Sequence, residues 1–425
     1  MKIAIGNVGS TSLKTKIIDI RDNGRVLYLG EANLDRIKTP GSSTFAHAAG
    51  SREKEKETVD IHGFEQGLDL ILSWYLEKGV ISRIEEIEAV GFKTVMAARD
   101  RGACILTDEV IAEMKSFAFV APAHNLPYIE TIELFRQHLP GVPLVGVFEP
   151  SFHYQIPEYR RITGLPLGLE REYNLGQFGF HGSTGRYGLE RVKQLHSARL
   201  AEQGLSLREP LKCIYNHFGG SCSTHAISGD TCVATTMRFS LQSGHFQSTR
   251  VGDLDPYAVL YLMDERGMNP HEMHNLLSSQ SGLLGMAGIG SGEMSDIIKA
   301  AEAGNADAAL TVDAFVDRAR QYIGAYSAVL EGLDVLVFAG GIGENGTDIR
   351  TKICRGLGYL GIELDDEKNG TLGSNEGLIS SDSSRVQVYV VRTNEEIVVA
   401  QFTKKVVESG RDLTPEEMQF RLPEA

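Results

Sequence analysis

Apolar and polar positions in the first twenty residues predict a strand over 2–6, a polar glycine-containing turn over 7–12 and a second strand running to 18. The arrangement returns at residue 213. There CIYNHFGGSCSTHAISGD lays strand, small-residue turn and strand over IAIGNVGSTSLKTKIIDI, with His217 opposite Asn7 and an offset of 217 − 7 = 210 residues. Such a repeat predicts a duplicated unit. Between the two hairpins, Leu68, Leu70, Ile71, Trp74 and Tyr75 recur at helical spacing within 63–78, a strand is expected at 88–91, a helix over 130–138, and the apolar run 142–148 is a strand leading into Glu149. Segments 256–265 and 308–330 read as helices, and 334–339 as a buried strand ending in Gly340 and Gly341. This alternation predicts α/β architecture. The small, polar, charge-rich stretch 41–57 reads as a mobile loop and the tail beyond Glu408 as a segment that frays.

A chain of 425 residues is long enough for two domains, each with its own core. The net charge of −14 leaves no basic field for a phosphate backbone, so nucleic acid is excluded as a partner and any cations serving anionic substrates must be concentrated locally. The N-terminal apolar run is broken by Asn7, Gly9 and Ser10, too early for a signal peptide, and no run approaches the roughly 20 apolar residues of a membrane span. A cytoplasmic protein without membrane attachment is expected. Cys104, Cys213, Cys222, Cys232 and Cys354 form an odd set with no metal-ligand spacing, which predicts reduced thiols.

The turn from Asn7 to Lys14 combines small residues that let backbone amides approach an anion, hydroxyls on Ser10 and Ser12 that donate hydrogen bonds, and the charge of Lys14. It reads as a phosphate cradle, with an ordinary hairpin turn as the alternative; the second copy favours a pair of cradles gripping a nucleotide's phosphates. Residues 334–346, DVLVFAGGIGENG, run from a strand into a glycine-rich turn before a helix, a candidate nucleotide site carried by Gly341, Gly343, Glu344 and Asn345. A tight turn with no ligand is the alternative there.

These segments resemble the signatures of the acetate kinase family. NVGSTSLK is similar to N-x-G-S-S-S-L-K, APAHN (121–125) to A-P-L-H-N, GFHG (179–182) to G-F-H-G, and TRVGDLDP (249–256) to T-R-x-G-D-x-D-P; FAGGIGEN and TNEE (393–396) follow in the family's order. The resemblance spans residue 3 to about 400 and implies a magnesium-assisted, reversible phosphoryl transfer between ATP/ADP and a small carboxylate. It implies two duplicated RNase H-like (actin-like ATPase) α/β domains about a central cleft. The first, 1–150, would face the acyl substrate and be completed by the C-terminal helix from about 385; the second, 151–400, would bind nucleotide and build a homodimer; 408–425 would be a polar tail.

The resemblance also implies roles. Arg250 would hold carboxylate or phosphoryl oxygens bidentately, the alternative being an ion pair with Asp253 or Asp255. His181 would stabilise the transferring phosphoryl group, the alternative being a satisfied core histidine. His124 would be a second imidazole near the acyl site or a structural cap. Asn7 and Glu395 would orient Mg2+, with Glu395 alternatively a helix-start carboxylate that could exchange roles with Glu396. His217, Gly219 and Gly220 would contact the donor phosphates.

Departures mark where specificity is open. The family's catalytic arginine position holds Lys93, which keeps the charge but loses the fork, and its V-F-D holds Glu149, one methylene longer; the two form a candidate compensating pair. HFGGSCS replaces H-L-G-N-G-S-S, and the stretch 239–244 together with Thr94 and Gln242 makes more polar walls, suited to a hydroxylated or larger carboxylate. Acetate or propionate is the default acceptor. A different acyl or sugar-acid acceptor, a pyrophosphate donor, and a non-catalytic nucleotide-binding relative are the rival readings.

Overall fold

In the computed structural model, which describes residues 1–9, 11–37, 41–50, 52–97, 101–373 and 375–423, the opening alternation becomes an antiparallel hairpin of β1 (Lys2–Val8) and β2 (Ser12–Ile20). Ile3, Ile5, Leu13 and Ile17 are buried in it. Val26–Asp35 (β3), Ser43–Ala49 (β4), Glu55–Val59 (β5), Ala89–Thr94 (β6), Ala103–Ile105 (β7) and Leu144–Phe148 (β8) complete an eight-stranded sheet in the order β5-β4-β3-β2-β1-β6-β8-β7. The second sheet joins Lys212–Phe218 (β9), Cys222–Ser228 (β10), Thr231–Thr235 (β11), Val335–Ala339 (β12), Gly377–Leu378 (β13) and Gln387–Val390 (β14) in the order β11-β10-β9-β12-β14-β13. The chain divides into one unit of Met1–Tyr154 with Asn394–Ala425 and another of Gln155–Thr393.

Both sheets carry one five-stranded frame. In each, the first strand pairs antiparallel with its hairpin partner on one side and parallel with a later strand on the other, giving β3-β2-β1-β6-β8 and β11-β10-β9-β12-β14. The starts of the hairpin strands are offset by 212 − 2 = 210 and 222 − 12 = 210 residues. The frame is therefore the duplicated RNase H-like unit. The second turn is one residue tighter: the last pair before it is Phe218 with Cys222, against Val8 with Leu13 in the first.

Each frame is covered by amphipathic helices. In the second unit, helix Ala306–Val329 buries Phe315, Ala319 and Ile323 in one cluster with Phe218 and Phe338 of the sheet. In the first, helix Glu395–Ser409 buries Ile397, Val398, Val399, Phe402 and Val406, packing on β6 and β1; burying each such side chain contributes roughly 1.5–3 kcal/mol. Gly91 permits that approach. A Cβ there would lie 2.3 Å from Thr403 Oγ1 and 3.0 Å from Val399 Cγ1. The other face carries helices Phe64–Glu77 and Pro122–His138, with Phe92 and Phe135 edge-to-face at 5.4 Å.

Several expectations are corrected. The stretch 41–57 holds β4 and most of β5, because Phe45 and His47 alternate inward onto Trp74, with ring centroids 6.1 and 4.8 Å from it. The segment beyond 408 does not fray: Leu413 bridges Ala103, and Leu413, Met418 and Phe420 are buried. The glycine-rich stretch after β12 is itself helical, Gly340–Asn345, before a second helix Thr347–Arg355. All five cysteines are free and buried, and burial pushes the Cys104 and Cys213 thiols up to about 12. Among the described residues no helix is long and apolar enough to cross a membrane.

Gly91→Ala should destabilise the protein by about 1–3 kcal/mol through overpacking against Thr403. Adding Thr403→Ala should recover part of the loss. Chemical denaturation of both variants measures this.

Candidate functional site

The first unit assembles a charged cluster at the ends of β1 and β6. Asn7 lies directly opposite Lys14 on β2, so the two side chains share a face, and Lys14 is exposed. The Gly9 N–H closes the turn onto the Ser12 carbonyl at 2.8 Å; Ser10 lies outside the described residues. Parallel pairing of Gly6 with Phe92 sets Lys93 beside Asn7, and the returning helix presents Glu395 as its first residue. Asn7 Nδ2 donates to Glu395 Oε1 at 2.9 Å, and Lys93 Nζ donates to the same oxygen at 2.7 Å. Asn7 Oδ1 accepts from the Tyr128 hydroxyl at 3.2 Å. Burial works against the Lys93 ammonium, yet Glu395 and then Glu149 outweigh it and hold the group above the ordinary lysine value. Glu149 is buried immediately after β8.

The neighbouring Glu396 pairs instead with Lys16 at 3.1 Å. Glu395 starts its helix as well as binding Lys93, where the helix dipole favours its charge. His124 stands half-buried in the first turn of helix Pro122–His138, which begins earlier than the expected 130. The turn is pinned by its neighbour Asn125, whose Nδ2 donates to the carbonyls of Met96 at 3.0 Å and Met114 at 2.8 Å. Thr94 does not line this cluster. Successive strand residues face opposite ways, and Thr94 is fully buried toward Gly146, away from Lys93.

In the second unit His217 on β9 lies opposite Ser223 on β10. His181 is the N-cap of helix Gly182–Glu202 with φ 60° and ψ 32°, a left-handed conformation that costs a non-glycine residue roughly 1–2 kcal/mol. Its ring lies 4.3 Å from that of His217, and its Nδ1 is 2.8 Å from Ser223 Oγ. Arg250 Nη1 donates to Ser221 Oγ and to Gln247 Oε1, each at 3.0 Å. Burial brings the guanidinium down to about 10. Asp253 accepts from the Gly244 N–H at 2.8 Å and from the Tyr322 hydroxyl, and Asp255 caps helix Pro256–Arg266.

The glycine-rich segments meet at the end of β9. Gly340 has φ +73° and a Cβ there would sit 2.7 Å from the Phe218 carbonyl oxygen, while a Cβ on Gly219 would lie 3.7 Å from the Gly341 nitrogen. Gly220 accepts from the Ser248 N–H at 2.9 Å. Glu344 turns inward: its Oε1 accepts from Gly340 N at 3.2 Å, Thr393 N at 3.0 Å and Thr393 Oγ1 at 3.2 Å, so this acid ties the segment together. Asn345 Nδ2 donates to the Gly341 carbonyl at 2.9 Å. Arg350, fully buried, donates from Nη1 to the carbonyls of Gly343 and Glu344 at 2.9 Å each, satisfying the end of the short helix.

Of the predicted residues, Asn7, Lys93 and Glu395 therefore converge with Glu149 nearby, His181 joins His217, and Gly219 joins Gly341 and the residues of its turn. Sequence reasoning missed Tyr128, Ser223 and Arg350. Arg350 was findable, since it sits between Ile349 and Ile353 on the apolar side of its helix. The oxygen donors Asn7 Oδ1, Glu149 and Glu395 suit a hard cation such as Mg2+.

Two copies of one RNase H-like frame, each ending in a polar hairpin turn, define the structural class. The acetokinase family profile matches residues 2–401, and the chain belongs to that family. It is 36% identical over 413 residues to the acetate kinase of Clostridium novyi, covering 96% of this chain and 99% of that protein. It is 35% identical over 412 residues to the acetate kinase of Thermotoga maritima, covering 96% and 99%. Among solved structures, Porphyromonas gingivalis acetate kinase superimposes with a TM-score of 0.81 at 30% identity over 96% of this chain and 99% of that one. A propionate kinase from Francisella tularensis subsp. tularensis gives 0.82 at 27% identity over 95% and 99%.

Burial pushes the His225 and His245 imidazoles down to about 3, with the charges of His217 and His245 adding for the former and Arg318 for the latter. Both bind protons in the unfolded chain below the ordinary 6.5 but not in the folded one. Stability should therefore fall as pH drops from 6.5, by about 1.4 kcal/mol per pH unit for each histidine. Denaturation between pH 6.5 and 5 should show a shallower slope for His245→Gln than for the parent protein.

Proposed function

We propose that this chain catalyses the reversible, magnesium-dependent transfer of the terminal phosphoryl group of ATP to a short-chain carboxylate, giving ADP and an acyl phosphate. A carboxylate oxygen attacks the γ-phosphorus while the bond to the β-phosphate oxygen breaks, its electron pair leaving with ADP. The observation that carries the reading is the convergence of Asn7, Lys93 and Glu395 on one carboxylate oxygen, in a chain matched over 96% of its length by acetate kinases. Such transfer needs positioning and neutralised charge rather than a strong base.

The first unit would hold the acyl substrate and the second the nucleotide. Arg250, half-buried and donating to Ser221 and Gln247, would take the oxygens of the anion it meets. His181 would donate to the transferring phosphoryl group, and Lys93, a point charge rather than a fork, would neutralise an oxygen near Glu395. Glu395, Asn7 and Glu149 would hold Mg2+, which when bound supplies charge to the transferring oxygens. The retained Asn7, His181, Arg250 and Glu395 favour turnover over a non-catalytic relative, and a cytoplasmic location is part of the reading.

A homodimer through the second unit is part of the proposal. Helix Pro256–Arg266 buries none of its residues, and Tyr257, Leu260 and Tyr261, spaced to share one face, are 77%, 58% and 64% exposed. Light scattering should give twice the chain mass for the parent protein and one chain mass for Leu260→Asp; a monomeric parent overturns this part.

A hydroxylamine trap for acyl phosphate tests the reaction, with magnesium, ATP or pyrophosphate, and a panel of short, branched and hydroxylated carboxylates. Hydroxamate should form with ATP and acetate or propionate. Arg250→Ala and His181→Ala should each lower kcat by about 100–1,000-fold. Folded protein that binds nucleotide yet forms no hydroxamate with any pair overturns the reading.

A further inference from the structure

Tyr128 follows Asn125 by three residues on helix Pro122–His138, so the two share a side of it. Asn125 pins that side through the carbonyls of Met96 and Met114, and the Tyr128 hydroxyl donates to Asn7 Oδ1 at 3.2 Å, at the end of β1. The other end of the same amide, Nδ2, donates to Glu395 Oε1 at 2.9 Å, the oxygen that Lys93 Nζ reaches at 2.7 Å. Asn7 thus joins side chains from two helices, Tyr128 from one and Glu395 from the start of the other. Tyr128 is 1% exposed, so it cannot touch a substrate itself.

We propose that Tyr128 is a positioning residue for phosphoryl transfer: its hydroxyl fixes the sense of the Asn7 amide and, through that amide, the place of the Glu395 carboxylate. The reason lies in the two ends of an amide. The terminal torsion of an asparagine is broad and close to two-fold, so a hydrogen bond at one end leaves the plane and sense of the group loosely set. A carboxylate only accepts, so Glu395 requires the Nδ2 end; the oxygen end must then meet a donor, and the phenol supplies it. Burial pushes the phenol above its ordinary value, against the charge of Lys93, so the donor keeps its proton through the neutral range. Turned over, the amide would set Oδ1 against the Glu395 oxygen that Lys93 also binds, and two acceptors would face one another. An amide oxygen has two lone pairs, so a hydrogen bond from the phenol is compatible with the same oxygen serving a cation. Held at both ends, Asn7 gives Glu395 its second donor in one arrangement, as outer partners orient the groups that bind a metal.

The inference rests on the reading of Asn7 and Glu395 as parts of the transfer site, and its test separates the two. 1H–15N spectra of asparagine-labelled protein, with the Asn7 side-chain signals assigned by their loss in Asn7→Ala, report the amide directly and need no turnover. Tyr128→Phe removes one oxygen and keeps the ring that fills the core. It should move the Asn7 amide signals and lower kcat by about 10-fold with KM unchanged. In the Asn7→Ala background the same substitution should cost nothing further, because Tyr128 acts through Asn7. Asn7 signals that stay in place in folded Tyr128→Phe overturn the inference, and so does a loss of kcat that multiplies with the loss from Asn7→Ala. Moved signals alongside full turnover in Asn7→Ala keep Tyr128 as the partner that orients Asn7 and remove instead the reading of Asn7 as part of the transfer site.

Discussion

The carboxylate of Glu395 accepts from Asn7 and Lys93 on a single oxygen, and the architecture of the first unit serves that meeting. Two mostly buried charges cost several kcal/mol each to desolvate unless they meet in good geometry. The geometry comes from three separate sources. β1 and β6 run parallel and in register, placing Asn7 beside Lys93; Gly91 clears room for the helix; and the apolar side of Glu395–Ser409 fixes its first turn over the strand ends. The helix start adds a favourable field for the acid. Removing the close approach at Gly91 would move the acid away from the lysine without touching either residue.

Duplication supplied one frame twice, and the chemistry diverged at the tips. In the first hairpin the facing pair is Asn7 and Lys14; in the second it is His217 and Ser223. The second turn, shorter by a residue, places Gly219 beside Gly341 and Phe218 against Gly340, while the first keeps an exposed lysine. Different residues at the tips of the repeated frame thus give a cationic tip in one unit and a histidine-lined tip in the other.

What the sequence makes legible is what depends on local period. Both hairpins and the buried strand ending at Ala339 follow from alternation or from an unbroken apolar run, and the repeat of Asn7 by His217 is visible as spacing. The hairpin of β4 and β5 is not visible, because its inward positions are Phe45 and His47 set among small residues and β5 is almost wholly exposed. Glu344 looks like a ligand because it stands in a glycine-rich turn, yet it closes on Gly340 and Thr393. Lys93 and Glu395, 302 residues apart, meet only through tertiary packing, and no local pattern announces such a pair. Family resemblance pointed to both residues; their contact with each other had to come from the fold.

Lys93 and Arg250, two cations of this acidic chain, respond to their surroundings in opposite ways. Lys93 is held above the ordinary lysine value because Glu395 and Glu149 outweigh its burial. Arg250 is brought down to about 10 because burial outweighs the attraction it feels from Cys222. Lys93 already has carboxylates beside it and is hydrogen-bonded to Glu395. A guanidinium, unlike an ammonium, presents a planar fork that orients the groups it binds. In a protein of net charge −14, an anionic substrate gains no attraction from the overall field and has to find it in local cations.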